Sequence, residues 1–146
     1  MKIISGTTEF KISEPTVVTI GKYDGIHNGH KLILDRMSSY RARGYRVAVL
    51  TFDIPPSMMG FGNDKEVLMT TGEKEQVFAK CGIDYLVEFP FYEKTASIDA
   101  QQFIEEYIVD KMNAKAVVVG DDCTFGYQAR GNAKMLLDCG PLYQLR

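Results

Sequence analysis

The sequence predicts an α/β fold, a parallel sheet covered by helices on both faces. Three observations predict it. Short β-branched or apolar runs alternate with longer segments of helical periodicity. The first of these runs leads directly into a glycine-rich turn, and the turn into a helix. The runs are too continuously apolar for strands with one face in water, which is the composition of a sheet buried on both sides.

Each element can be justified in turn. "PTVVTI" (Pro15–Ile20) is β-branched and nearly all apolar or Thr, and reads as a buried strand. "GHKLILDRMSSYRARG" follows the turn. Ile33, Met37 and Tyr40 recur at i, i+4 and i+7, so one helical face is apolar. Arg41 and Arg43 fall in the last turn and Gly44 closes it. "YRVAVLTF" (Tyr45–Phe52) is a second strand. Thr70 and Glu73 have capping-box spacing before a helix that ends near Cys81–Gly82. "DYLVEF" (Asp84–Phe89) is a third strand. Ile104, Ile108 and Met112, with Phe103 and Tyr107 beside them, mark the core face of a helix starting near Asp99. "AKAVVVG" (Ala114–Gly120) is a fourth strand. A short helix around Ala133–Cys139 is closed by Gly140–Pro141, and "LYQLR" begins a fifth strand. The order is Rossmann-like. Sites in such sheets lie at the carboxyl ends of the strands, near the topological switch point.

Composition bounds the function. The 146 residues suit one domain, with 45% hydrophobic and 25% charged residues. A net charge of −2 and a pI near 5.7 argue against nucleic-acid binding through a basic field. No apolar run approaches the roughly 20 residues that span a bilayer. The N-terminus lacks the apolar stretch of a signal peptide. Cys81, Cys123 and Cys139 are odd in number and show no metal-site spacing, so reduced thiols in a cytoplasmic protein are expected.

Chemistry concentrates in "TIGKYDGIHNGH", residues 19–30. It holds both histidines of the chain, His27 and His30, together with Gly21, Gly25 and Gly29. A helix N-terminus offers unpaired N–H groups and the positive end of a dipole, a natural phosphate site. The glycines let the backbone turn sharply and approach a ligand. Histidines three apart at a helix start lie on one side and can donate to the same phosphate oxygens. The spacing fits neither the Walker A pattern nor G-x-G-x-x-G. Zinc is a poor fit to H-x-G-H with no cysteine nearby, and no metal ligands are assigned. A turn that merely packs is the bland alternative. "IPPSMMGFGNDKE" (Ile54–Glu66), after the second strand, is placed for a functional flap.

"GKYDGIHNGH" resembles the G-x-F-D-G-x-H-x-G-H signature of the prokaryotic FAD synthetases, in the H-x-G-H nucleotidyltransferase superfamily. "TFDIPP" (Thr51–Pro56) is similar to that family's T-F-D-P-H-P. "LMTTGEKEQVFAKCGID" (Leu68–Asp84) resembles its L-T-x-x-E-K segment followed by G-[IV]-D, and "VVVGDDCTFGYQARGN" (Val117–Asn132) its V-V-G-x-D-F-x-F-G-x-x-x-x-G. The resemblance implies transfer of the adenylyl group of ATP to FMN, giving FAD and pyrophosphate, with Mg²⁺ accompanying ATP. It implies that His27 and His30 hold the ATP phosphates as the catalytic pair. Gly21, Tyr23, Asp24, Gly29 and Asp122 then belong to the ATP side. Phe52, Pro56, Phe125 and Gly126 belong to the flavin side. Arg130 is a weaker phosphate candidate.

Departures from the pattern are Ile54 and Pro55 for Pro and His, Cys123 for Phe, and Tyr23 for Phe. The family's I-S-S-T-x-x-R segment and its riboflavin kinase module do not occur in the 146 residues. The expectation is therefore a unit truncated at its C-terminus, either a shortened relative or a piece, that folds, binds nucleotide weakly and makes FAD slowly. A non-catalytic nucleotide- or flavin-binding module and a transferase for another phosphorylated acceptor stay open.

Overall fold

The computed structural model describes the backbone of residues 1–21, 28–53, 71–90, 93–120, 123–127 and 130–143. Five strands form one parallel sheet: β1 (Lys2–Ser5), β2 (Thr16–Ile20), β3 (Arg46–Asp53), β4 (Tyr85–Pro90) and β5 (Ala114–Val117), in the order β1-β4-β3-β2-β5. A two-stranded antiparallel hairpin, β6 (Thr124–Phe125) and β7 (Gly131–Asn132), follows.

Side chains alternate across the sheet, so it carries a core on each face. On one face Val17, Val47, Val49 and Leu86 meet Leu34 and Met37 of α1 (Asn28–Ser38) and Phe78 of α2 (Thr71–Lys80). On the other, Val18, Leu50, Val87 and Phe89 meet a helix that begins as α4 (Ala100–Gln102) and continues as a π-helix (Phe103–Lys111). Leu136 and Cys139 of α5 (Ala133–Tyr143) join that second core. Helices on both faces of a parallel sheet are the expected architecture. A short helix, α3 (Glu93–Ala96), precedes α4.

Local chemistry accounts for the element ends. A 3₁₀ turn (Ser39–Arg43) closes α1, and Gly44 at φ 85° takes the left-handed cap that a side chain would resist. Asp99 caps α4 by accepting from the Gln101 and Gln102 N–H groups. Ile104, Ile108 and Met112, four residues apart, share the core face of this helix. The Met112 N–H bonds back to the Tyr107 carbonyl at 2.8 Å, a wider turn than an α-helix makes, and all five expected residues are buried.

The structure corrects four expectations. β1 is a strand that the sequence reading passed over. It is short, largely exposed, and pairs with β4 far along the chain. β5 stops at Val117, after a register shift at Thr16/Val17 of β2. α5 runs through Gly140 and Pro141 to Tyr143, so the glycine-proline pair does not close it. Leu142 and Tyr143 are accordingly helical and begin no fifth strand. The Thr70 half of the capping box and the flap at residues 54–66 lie outside the described residues.

Candidate functional site at the carboxyl ends of the strands

Strand order fixes where the site belongs. From β2 the chain moves to β3 and then β4 on one side, then crosses back so that β5 pairs with β2 on the other. The connections leaving β2 and β5 therefore diverge, which is the switch point where ligands enter parallel sheets. The glycine-histidine turn leaves β2, and the Gly120–Cys123 segment follows β5.

Gly21 is held at that point, its N–H donating to the Leu50 carbonyl at 3.1 Å. Asn28, Gly29 and His30 form the first turn of α1, so the turn does deliver the chain into a helix N-terminus. His27, Tyr23, Asp24, Pro56 and Asp122 lie outside the described residues, as does the side chain of His30.

Across the switch point, the Val118 N–H donates to the Val18 carbonyl at 2.9 Å and extends the β5 pairing by one residue. The Cys123 N–H returns to the Gly120 carbonyl at 3.2 Å, and its thiol lies 3.5 Å from the Ile20 carbonyl. Cys123, in place of the family's Phe, thus packs against the last residue of β2. A groove of about 930 Å³ runs beside this point between α1 and α5, lined by Ile33, Arg36, Tyr40, Val119 and Leu136 among others.

The flavin-side candidates gather on the second core. Phe52, at the end of β3, is half-buried. Its ring lies 6.4 Å from Phe89 edge-on and 6.3 Å from Phe103. Phe125 is 3% exposed and packs on Phe103 at 5.7 Å. These rings, with Tyr107 at 4.8 Å from Phe89, make an aromatic ladder from β3 and β4 across the π-helix to the hairpin. Phe125 is an interior member of it, and Phe52 stands at its upper, partly open end.

Gly126 has φ 78°, and a Cβ there would lie 2.7 Å from the Ala100 Cα. The neighbouring Tyr127 N–H donates to the Ile98 carbonyl at 2.7 Å. Gly131 is equally tight, with a Cβ position 2.3 Å from the Phe125 ring. Glycine is required at Gly126 because the hairpin is pressed onto the start of α4, and at Gly131 because the Phe125 ring of the partner strand lies over it. Arg130 stacks over the Tyr127 ring at 5.6 Å.

Among the described residues, the titratable groups moved from their ordinary values sit elsewhere. Glu14 accepts from Tyr85 at 2.7 Å and pairs with Arg46 at 2.6 Å, at the amino ends of the strands. These contacts hold the Glu14 carboxyl below its ordinary range and Tyr85 above its own. Arg41 binds the Asp84 carboxylate at 2.9 Å and the Gly82 carbonyl. Both clusters lock loops on the face away from the switch point. Sequence reasoning missed Lys74 and Glu88, which are buried on the α2 side. The signal was present, since Glu88 is a lone charge inside the apolar run "YLVEFP".

Fold and site together define a Rossmann-like parallel α/β protein with a glycine-rich strand-to-helix turn at its switch point. A family model described as FAD synthetase matches residues 9–145, and the chain belongs to that family. The bifunctional riboflavin kinase/FMN adenylyltransferase of Escherichia coli (strain K12) is 34% identical over 98% of this chain and 47% of its own length. The FAD synthetase of Listeria monocytogenes is 29% identical over 90% of this chain and 54% of its own length. The chain thus spans about half the length of the curated relatives it matches. A crystal structure described as a macrolide-efflux protein from Streptococcus pneumoniae superposes with a TM-score of 0.76 and 28% identity, over 93% of this chain and 45% of that one. Among the described residues of this chain, no helix is long and apolar enough to cross a membrane.

Proposed function

We propose that residues 1–146 form one nucleotidyltransferase unit that moves the adenylyl group of ATP to FMN, giving FAD and pyrophosphate. The observation that carries this reading is family membership over nearly the whole chain, with the glycine-histidine turn leaving β2 at the switch point.

In this reading a phosphate oxygen of FMN attacks the α-phosphorus of ATP. A new P–O–P bond forms as the bond to pyrophosphate breaks, and the pyrophosphate carries away the electron pair. The protein's work is in-line positioning and stabilisation of phosphate charge. His27 and His30, with the α1 N-terminus, hold the triphosphate. Gly21 and Gly29 let the backbone approach it, and Tyr23, Asp24 and Asp122 complete the nucleotide side. Phe52 and Pro56 bound the flavin, while Phe125 and Gly126 support that wall from within. No group of three or more His, Cys, Asp or Glu side chains among the described residues could hold a metal. In this reading Mg²⁺ accompanies ATP and shields its phosphate charge. The three cysteines are outside any disulfide, and we place the reaction in the cytoplasm.

Incubation with ATP, Mg²⁺ and FMN, followed by chromatography, tests the proposal. FAD and pyrophosphate are expected in equal amounts. Binding of both ligands without product favours the non-catalytic module, and preference for CTP or another acceptor overturns FMN adenylylation.

A further inference from the structure

β5 is an edge strand, paired only with β2 among the described residues. The ladder decides which of its peptide groups are used. The Val118 N–H donates to the Val18 carbonyl, and Val18 is the register partner of Val117. In a parallel ladder the neighbours of a facing residue carry the bonds, so the N–H and C=O of Val117 point away from β2. On that side runs the groove of about 930 Å³, with Val117, Val118 and Val119 along its floor.

Two helices wall it in. α5, which covers one face of the sheet, contributes Ala133, Leu136, Leu137 and Gly140. These fall at i, i+3, i+4 and i+7, an uncharged stripe along one side of the helix. α1, which covers the other face, contributes Leu32, Arg36 and Tyr40, spaced by four. Leu32 and Leu137 are 71% and 77% exposed, the most exposed large apolar side chains among the described residues. The groove is thus a slot with a sheet edge for its floor.

An apolar small molecule would cover the leucines but leave the Val117 peptide group buried without a partner, which is costly. A second copy presenting the same edge would have to seat two further helices beside the walls. A single extended strand needs only the roughly 4.8 Å of one ladder step. Its backbone pairs with β5, and its side chains alternate toward α1 and α5. Charge sets its chemistry. The α5 wall is uncharged, while Arg36 on the α1 wall forms no ion pair among the described residues. We propose that this slot is a docking site for an extended segment of a separate polypeptide. The segment joins the sheet as a sixth strand, with apolar side chains toward α5 and a carboxylate toward Arg36.

The probe is a fluorescein-labelled peptide, Lys-Val-Leu-Glu-Leu-Val-Lys, titrated with the 146-residue chain and read by fluorescence anisotropy. Saturable binding is expected, and a fully N-methylated version, which has no N–H to give a ladder, should not bind. Arg36→Glu should weaken binding by about fivefold, and a probe with Lys in place of Glu should regain it in that variant. Leu137→Asp, at a side chain already in water, should weaken both probes with the fold intact. No binding of the first probe to the unaltered chain overturns the docking site. Equal binding of the N-methylated probe overturns strand addition, and Arg36→Glu without effect or without rescue overturns the carboxylate. A dimer in sedimentation that Leu137→Asp dissolves, with no probe bound, gives the slot to a second copy and overturns the separate partner.

Discussion

Replacing Gly126 by alanine combines two separable penalties, and other glycines of the same chain isolate each. At φ 78° a side chain meets left-handed strain, which costs about 1–2 kcal/mol. The new Cβ also falls 2.7 Å from the Ala100 Cα and 2.8 Å from its Cβ, both anchored in the first turn of α4. Overpacking of that kind costs about 1–3 kcal/mol. The sum is about 2–5 kcal/mol. A chain of this size loses about 2–4 °C of melting temperature per kcal/mol, so the expected drop is about 4–20 °C. Gly82→Ala at φ 74°, with nothing near its Cβ, isolates the strain and should cost about 1–2 kcal/mol. Gly131→Ala isolates collision, since its Cβ meets the Phe125 ring at 2.3 Å without a positive φ. Calorimetric melting of the three variants is the assay. Gly126→Ala melting with the unaltered protein, or no lower than Gly82→Ala, would refute the claim that the hairpin is pressed onto α4.

Three further outcomes are expected. His27→Ala and His30→Ala should each weaken ATP binding by about 1–3 kcal/mol in calorimetric titration, and unchanged affinity in both, with the fold intact, removes the phosphate role. Phe125→Ala should cost about 3–5 kcal/mol of stability as an interior ring. Phe52→Ala should instead act mainly on FMN affinity, read by flavin fluorescence, and the reverse pattern would exchange their roles. Glu14 is held below its ordinary 4.5 first by the Tyr85 hydroxyl and then by Arg46, while Tyr85 is held above its ordinary 10.0 first by the hydrogen bond to Glu14 and then by burial. Ionised Glu14 therefore stabilises the fold above 4.5, an effect lost as pH falls through its lowered value. Protonated Tyr85 does so below 10.0, lost as pH rises through its raised value. Glu14→Gln should flatten both limbs of urea stability against pH, and identical limbs in the two proteins would count against the cluster.

The two-faced sheet was legible in the sequence because β2, β3 and β4 are continuous apolar runs between helical repeats. The residues of the π-helix were legible as core because their i, i+4 spacing is visible, although the wider turn itself is not. β1 escaped because "KIIS" is too short and too exposed to declare itself, and its reason to be a strand is β4, distant in sequence. α5 outran its expected stop because Gly140 and Pro141 argue locally for an end, while Leu136 and Cys139 are already committed to the core. Motif matching brought Phe125 and Gly126 forward as flavin residues. Their packing against Phe103 and Ala100 depends on a hairpin docking that no local pattern encodes. Lys74 and Glu88 were also passed over. Lys74 looks like an ordinary surface charge until helix and strand are laid together, whereas Glu88 went unread although it interrupts the apolar run of β4.

The placement of β1 has a consequence for synthesis. Lys2 pairs with Tyr85, so β1 leaves the ribosome ahead of its partner and waits for a strand that comes roughly eighty residues later. Chain closure is a weak deterrent, because its entropy grows only logarithmically and exceeds that of the β2–β3 pairing by about 1 kcal/mol. Time is the stronger one. At about 5–20 residues per second, β1 stays without its native neighbour for roughly 4–16 s. The local β2-α1-β3 unit is complete well before then, leaving Ile3 and Ile4 to add to a sheet edge that already exists. A fusion or tag joined ahead of β1 would therefore burden the pairing of β1 with β4 and spare the β2-α1-β3 unit.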